Sequence, residues 1–342
     1  MPLTYTPRKR FSPQEYAQAI LAGDRIMLSR AITLIESKLP SDVALAEKVL
    51  EIILPHTGNS LRVGITGVPG VGKSTFIESF GKLITGMGKK LAVLTIDPSS
   101  QRSKGSILGD KTRMESLAND PMAYIRPSAS GATLGGVNNK TRETMLLCEA
   151  AGYEVILIET VGVGQSETTV AEIADFFLLL MLAGAGDELQ GIKKGIMEMA
   201  DALVITKADG DNVTMSQMAA REYANAMRLF PAQDSGWEPE VLTCSSVEQR
   251  GLDAVWDVIV RHHELMCQTG YFQAKRMEQN IAWMNEIIDY YLKYDFLHAP
   301  AVSEVLDFTQ HQVESGKLPA ITAAKRLLER FRGEGAEGTD GK

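Results

Sequence analysis

Residues 67 to 75 read GVPGVGKST, and these residue types at this spacing can hold a chain of phosphates. Closely spaced glycines let the backbone curl until successive N–H groups face inward around an anion. Lys73 adds a cation that reaches the β and γ phosphates, and Ser74 adds a hydroxyl for a divalent metal ion. A helix opening at this point turns its positive dipole end toward the same charge. The stretch fits GxxxxGK[ST] and follows the apolar run RVGIT, which supplies the strand, loop and helix context the pattern needs. The phosphate-binding set is therefore Gly67, Gly70, Val71, Gly72, Lys73, Ser74 and Thr75, with Lys73 also in a catalytic role.

A second cluster begins where YEVILIETVGVGQSE ends its apolar run on Glu159. Residues 155 to 158 are too few for a helix and too continuously apolar for a half-exposed strand, so they predict a strand covered on both faces. A carboxylate at its C-terminal end lies where open α/β sheets bind ligands. Glu159 is the expected carboxylate facing Mg2+, acting through a coordinated water because it is one methylene longer than the usual aspartate. Gly162 is the expected point where a loop senses the γ phosphate, and Gln165 is the candidate for positioning the attacking water. Asp97 closes another apolar run, LAVLTID, and copies the position of Glu159. Ser74, Asp97 and Glu159 are the candidate metal ligands, while Asp110, in the polar stretch that follows, reads in isolation as a solvated loop residue.

A third cluster, VITKADGDN, places Thr206, Lys207 and Asp209 after a further apolar run, in the pattern [NT]KxD. The carboxylate accepts from N1–H and the 2-amino group of guanine, while the lysine stem lies along the base. Adenine offers an acceptor at N1 and no 2-amino group, leaving the carboxylate unpaired at about 1 to 3 kcal/mol. GTP and GDP are thus expected over ATP. Further on, LTCSSVEQRGLDAVW is expected to bring Ser245 and Ser246 near the guanine O6 through backbone N–H groups.

The elements that must position these clusters are legible in the hydrophobic pattern. RVGIT, LAVLTID, AYIRP, VILIE, FFLLLML, ALVIT and EVL alternate with helical segments from Leu61 to Leu242, the mark of a parallel α/β sheet with crossover helices. Helix starts are expected at Ser74 and Thr75, at Asn138 or Asn139, and at Asp211 or Asn212. Ser12 to His56 reads as helical, and the chain turns helical again after Gly251. In the long C-terminal helix, Ile281, Met284, Ile288, Tyr291 and Leu292 form one apolar stripe, and Trp283, Tyr290 and Tyr294 a second surface. Such a stripe packs either against its own chain or against a second copy.

The expected organisation is an N-terminal helical module (1–57), a P-loop nucleotide-binding domain (58–270), a C-terminal helical extension (271–332) and a polar, disordered tail (333–342). A formal net charge of -8 argues against non-specific nucleic-acid binding. Cys148, Cys244 and Cys267 lie far apart, which predicts a reducing, cytoplasmic setting rather than a disulfide framework. The N-terminal stretch has no apolar core of a leader peptide, and residues 176–183 fall far short of a membrane span of roughly 20 residues.

In this order, GVPGVGKST, DPSSQRSKGSILGDKTRM, ETVGVGQSE, LAGAGDELQGIKKG and TKADGDN closely resemble the MeaB/ArgK-type GTPases. The resemblance implies a doubly wound, mainly parallel P-loop NTPase of the branch that includes the signal-recognition-particle GTPases. It implies a chaperone that gates cofactor loading into, and protects, an adenosylcobalamin-dependent acyl-CoA mutase, typically methylmalonyl-CoA mutase. It further implies that Asp97, Asp110 and Glu159 surround Mg2+, that Lys193 is tied to GTP hydrolysis and signalling, and that the C-terminal helices carry a homodimer contact. Thr206 stands where the base motif commonly has Asn, and Lys104 where a small residue is common.

Two rival activities make different demands. A metallochaperone needs clustered Cys and His, and the sequence offers only the adjacent His262 and His263. An ATP-dependent kinase of a transport protein or small molecule would have no use for Asp209.

Overall fold

The structure, a computed structural model, describes residues 11–96, 114–127, 136–160, 166–184, 194–231 and 233–333. Three helices open it: α1 (Pro13–Leu21), α2 (Arg25–Glu36) and α3 (Pro40–Ile53). The Ser-Pro-x-Glu signature of α1 becomes a full capping box, with Ser12 and Glu15 each accepting from the other's backbone N–H. Asp24 caps α2 through the N–H groups of Ile26 and Met27. Leu28, Ile32, Ile35, Ile20 and Ile53 are buried on the inner faces of these helices.

The sheet contains β1 (Leu61–Gly67), β2 (Leu91–Ile96), β3 (Ala123–Pro127), β4 (Val155–Thr160), β5 (Phe176–Leu182), β6 (Ala202–Thr206) and β7 (Glu240–Thr243). Their order is β3-β2-β4-β1-β5-β6-β7, and every pairing is parallel. Each apolar run read from the sequence is one of these strands. β1 and β4 are buried at every residue, as expected of parallel strands covered on both faces.

Helices α4 (Lys73–Gly86) and α5 (Glu115–Ala118) follow β1 and β2. They are followed by α6 (Gly136–Ala150), α7 (Ser166–Ile173), α8 (Lys194–Glu198) and α9 (Val213–Met227). Next come α10 (Leu252–Gln268), α11 (Tyr271–His298), α12 (Pro300–Glu314) and α13 (Ala320–Phe331). One core joins the N-terminal helices, α6, α7 and α9 to one face of the sheet. A second core packs α4 and α10 on the other face, where Phe76 and Phe80, one helical turn apart, stack at 5.1 Å and Trp256 closes the group. Burying each such ring stabilises the fold by about 1.5 to 3 kcal/mol.

Two helix starts differ from the sequence expectation. α6 begins at Gly136, so positions 138 and 139 lie within the helix and not at its start. Asn212 occupies the cap position of α9 but makes no cap bond; its side-chain amide turns back to the carbonyl of Lys207 at 2.7 Å, which wins because that carbonyl projects from a left-handed turn.

The base of the sheet, away from the nucleotide end, holds a buried ion network. Arg276, on the first turns of α11, donates to both oxygens of Asp175 and to the carbonyls of Gly58 and Ser60. Arg62 donates to Glu149, which also accepts from Ser60 and Gly58. Burial acts to raise Asp175 and Glu149, but for Asp175 the Arg276 hydrogen bonds, and for Glu149 the Arg62 charge, hold each carboxyl below its ordinary range.

The chain divides into two compact units, residues 1–280 and 281–342. Within the second, Val302 and Ala323 are buried and Phe296 meets Phe331 edge-on at 5.3 Å. Ile281, Met284, Ile288, Tyr291 and Leu292 are all exposed.

Candidate nucleotide site

Every described residue of the three sequence clusters lies at the C-terminal edge of the sheet or in the loop or helix that leaves it. β1 is the switch point, flanked by β4 on one side and β5 on the other. Its last residue, Gly67, packs so closely on β5 that a Cβ there would stand 2.4 Å from the carbonyl oxygen of Leu180. Gly72, at φ 90, takes the left-handed turn that starts α4. Between them Val68 and Val71 are buried and Pro69 and Gly70 exposed, so two apolar side chains anchor the ends of an open loop.

Lys73 Nζ donates to the carbonyl of Gly67 at 2.8 Å, folding the phosphate-binding cation over its own loop. Ser74 is half-buried in the first turn of α4, and Thr75 beside it is exposed. Glu159 sits one strand over, in register with Ile65, and is 3 % exposed. Ser74 Oγ donates to Glu159 Oε1 at 3.2 Å. Two hard oxygen donors from separate elements thus meet beside the phosphate loop, a donor set that suits Mg2+. Above them Thr66 and Thr160 bridge β1 and β4 through their hydroxyls at 2.9 Å. Asp97, Asp110, Gly162, Gln165 and Lys193 lie outside the described residues.

The base motif follows β6. Thr206 is 2 % exposed, and its hydroxyl donates to the carbonyl of Val71 at 2.8 Å. Lys207 is left-handed at φ 57 and its Nζ donates to the carbonyl of Gly70 at 2.8 Å. The phosphate loop and the base loop are therefore joined by two side chains of the base motif. Asp209 is half-buried and accepts from Ser245 Oγ at 2.5 Å.

That contact revises the expected role of Ser245. Its backbone N–H is committed to the carbonyl of Arg250 at 2.9 Å in a small antiparallel bridge, so it is not available to the guanine O6. The hydroxyl instead holds the Asp209 carboxylate. Ser246, half-buried, is held by Ser79 Oγ on its carbonyl at 2.9 Å. Sequence reasoning missed Arg250, whose guanidinium donates to the carbonyl of Ala208 at 2.7 Å; only its place just before Gly251 hinted at a role.

His262 and His263, the adjacent pair a metallochaperone would need, part company on α10. His262 is buried between Phe176 and Trp237, and burial pushes its imidazole down to about 3. Among the described residues no group of three or more His, Cys, Asp or Glu is placed to hold a metal ion. No helix among the described residues is long and apolar enough to cross a membrane.

A seven-stranded parallel sheet carrying a phosphate loop at its switch point, with the TKxD turn two strands away, defines the fold of a P-loop GTPase. The chain belongs to the MeaB family, described as methylmalonyl Co-A mutase-associated GTPases, whose model matches residues 28–301, and it is a GTP hydrolase that binds guanine nucleotides. A putative GTPase of Caulobacter vibrioides is 51% identical over 312 residues, covering 91% of this chain and 95% of the relative. The methylmalonic aciduria type A homolog of mouse, a mitochondrial protein, is 43% identical over 334 residues, covering 95% of this chain and 80% of its own length. Among solved structures, one described as an LAO/AO transport system kinase is similar at a TM-score of 0.75 and 37% identity, covering 94% of this chain and 97% of that one.

Proposed function

We propose that this GTPase is a chaperone of an adenosylcobalamin-dependent acyl-CoA mutase, most simply methylmalonyl-CoA mutase, gating cofactor loading and protecting the enzyme. The observation that carries this reading is the match over residues 28–301 to a family described as associated with that mutase. Ser74 and Glu159, with Asp97 and Asp110, would hold Mg2+, which supplies positive charge against the β and γ phosphates. Lys73 binds the same phosphates, Gln165 orients the attacking water, Gly162 lets its loop follow the γ phosphate, and Lys193 relays hydrolysis to the partner. The exposed stripe from Ile281 to Leu292 supports a homodimer through α11. The proposed setting is the cytoplasm.

The organisation we propose keeps a helical module (1–57), a GTPase domain (58–270), a helical dimerisation extension (271–332) and a terminal tail (333–342). A kinase of a transport system, as one similar solved structure is described, would move the γ phosphate to an acceptor. Asp209, held by Ser245 for a guanine edge, favours hydrolysis of GTP instead.

The test is GTP hydrolysis by the purified protein, alone and with methylmalonyl-CoA mutase, with ATP as control. A slow rate that rises with the mutase, for GTP only, is expected. An unchanged rate with no complex removes the mutase as client, and labelled phosphate passing from ATP to an acceptor favours the kinase.

A further inference from the structure

Two side chains outside the phosphate and base motifs grip the backbone of the turn that reads the base. Asn212 Nδ2 donates to the carbonyl of Lys207 at 2.7 Å, and Arg250 Nη2 donates to the carbonyl of Ala208 at 2.7 Å. Between these points the turn is under constraint, because Lys207 holds φ 57, a region that side-chain-bearing residues rarely occupy without support. The adjoining backbone is tied as well: Ala208 N–H donates to the Cys244 carbonyl at 3.0 Å and Asn212 N–H to the Asp209 carbonyl at 3.0 Å.

Arg250 is itself fixed. Its backbone exchanges two hydrogen bonds with Ser245, at 2.9 and 3.0 Å, and its guanidinium pairs with Glu248 at 2.9 Å. The same bridge carries the Ser245 hydroxyl that holds Asp209. The two peptide planes that Asn212 and Arg250 grip are those on either side of Ala208, and they determine where the Cα–Cβ bond of Asp209 points. A small rotation there swings the carboxylate away from any base edge, since one of its oxygens is already tethered to Ser245.

We propose that Asn212 and Arg250 are positioning residues for base discrimination: by holding the Lys207 and Ala208 carbonyls they set the Asp209 carboxylate against the 2-amino edge of guanine. This rests on the reading of Asp209 as the guanine contact. Arg250 is more than half exposed, with its side chain at 57%, so its removal opens no core cavity.

The experiment compares GTP with ITP, which lacks only the 2-amino group, by competition against a fluorescent GDP on the full chain. Wild type is expected to prefer GTP. Arg250→Ala and Asn212→Ala are each expected to lower the GTP-to-ITP affinity ratio about three- to tenfold, through lost GTP affinity. Arg250→Lys, which keeps one donor for the Ala208 carbonyl, should recover part of the ratio. A wild type without preference overturns the guanine reading and this proposal together. A wild type with preference and an unchanged ratio in both alanine variants overturns this proposal alone. An equal fall for GTP and ITP with a lowered Tm also overturns it, because loss of folded protein moves both affinities and leaves their ratio intact.

Discussion

Thr206 Oγ1 lies 2.8 Å from the carbonyl oxygen of Val71, so the first residue of the base motif holds the phosphate loop. Both groups are buried, and the hydroxyl reaches the Met181 carbonyl as well, at 3.3 Å. Threonine thus does for the loop what the more common asparagine is suited to do, with one donor instead of two.

Thr206→Val keeps the shape and removes the donor. It leaves a buried carbonyl unsatisfied, a loss of about 1 to 3 kcal/mol, and GDP affinity should fall about tenfold. Thr206→Asn should retain binding. Titration with a fluorescent GDP measures both, and wild-type affinity in the valine variant would show that the bond does not organise the loop.

Glu159→Gln preserves the contact with Ser74 and removes the charge. If the pair helps to hold Mg2+, the metal concentration giving half-maximal GTP hydrolysis should rise about 10- to 100-fold, the range for an altered ligand environment. Hydrolysis rates across a magnesium titration decide this, and an unmoved midpoint would remove Glu159 from the metal site.

Arg276→Ala should be the most destabilising single change among these. It takes the guanidinium away from the buried Asp175 and Glu149, which keep the bonds from Arg62 and, for Glu149, from Ser60 and Gly58. Removing one partner of a buried ion pair costs about 3 to 5 kcal/mol. Urea unfolding gives the value, and a loss below about 1 kcal/mol would mean that the network is dispensable, as exposed pairs are.

Asp120 supplies a pH signature. Its hydrogen bond to the Lys82 ammonium, at 2.7 Å, holds its carboxyl down to about 2, from 3.8. A folded-state value below the unfolded one contributes stability that is present above pH 3.8 and lost as pH falls toward 2. The Tm gap between wild type and Asp120→Asn should therefore be widest above pH 4 and close at lower pH. A gap constant from pH 5 to 2 would exclude the pairing as its source.

Much of this molecule was legible because parallel strands are covered on both faces and so appear as unbroken apolar runs. RVGIT, VILIE and FFLLLML are all buried strands for that reason. The phosphate loop was legible because its glycines answer a backbone demand that few other residues meet. Helix starts were less so: Asn212 looked like a cap, yet a carbonyl at i–5, exposed by the left-handed Lys207, drew its side chain away.

The sequence by itself determined the strands and the phosphate loop, because periodicity and short motifs act over a few neighbouring residues. Only the tertiary structure decided that β1 stands between β4 and β5, that Glu159 meets Ser74 across 85 residues of chain, and that Arg250 reaches Ala208. It also decided which N–H of Ser245 and Ser246 is spent in a bridge. The physical reason is that strand order and long-range hydrogen bonds follow from how helices pack across the whole sheet, where each partner is chosen by geometry that no local pattern encodes.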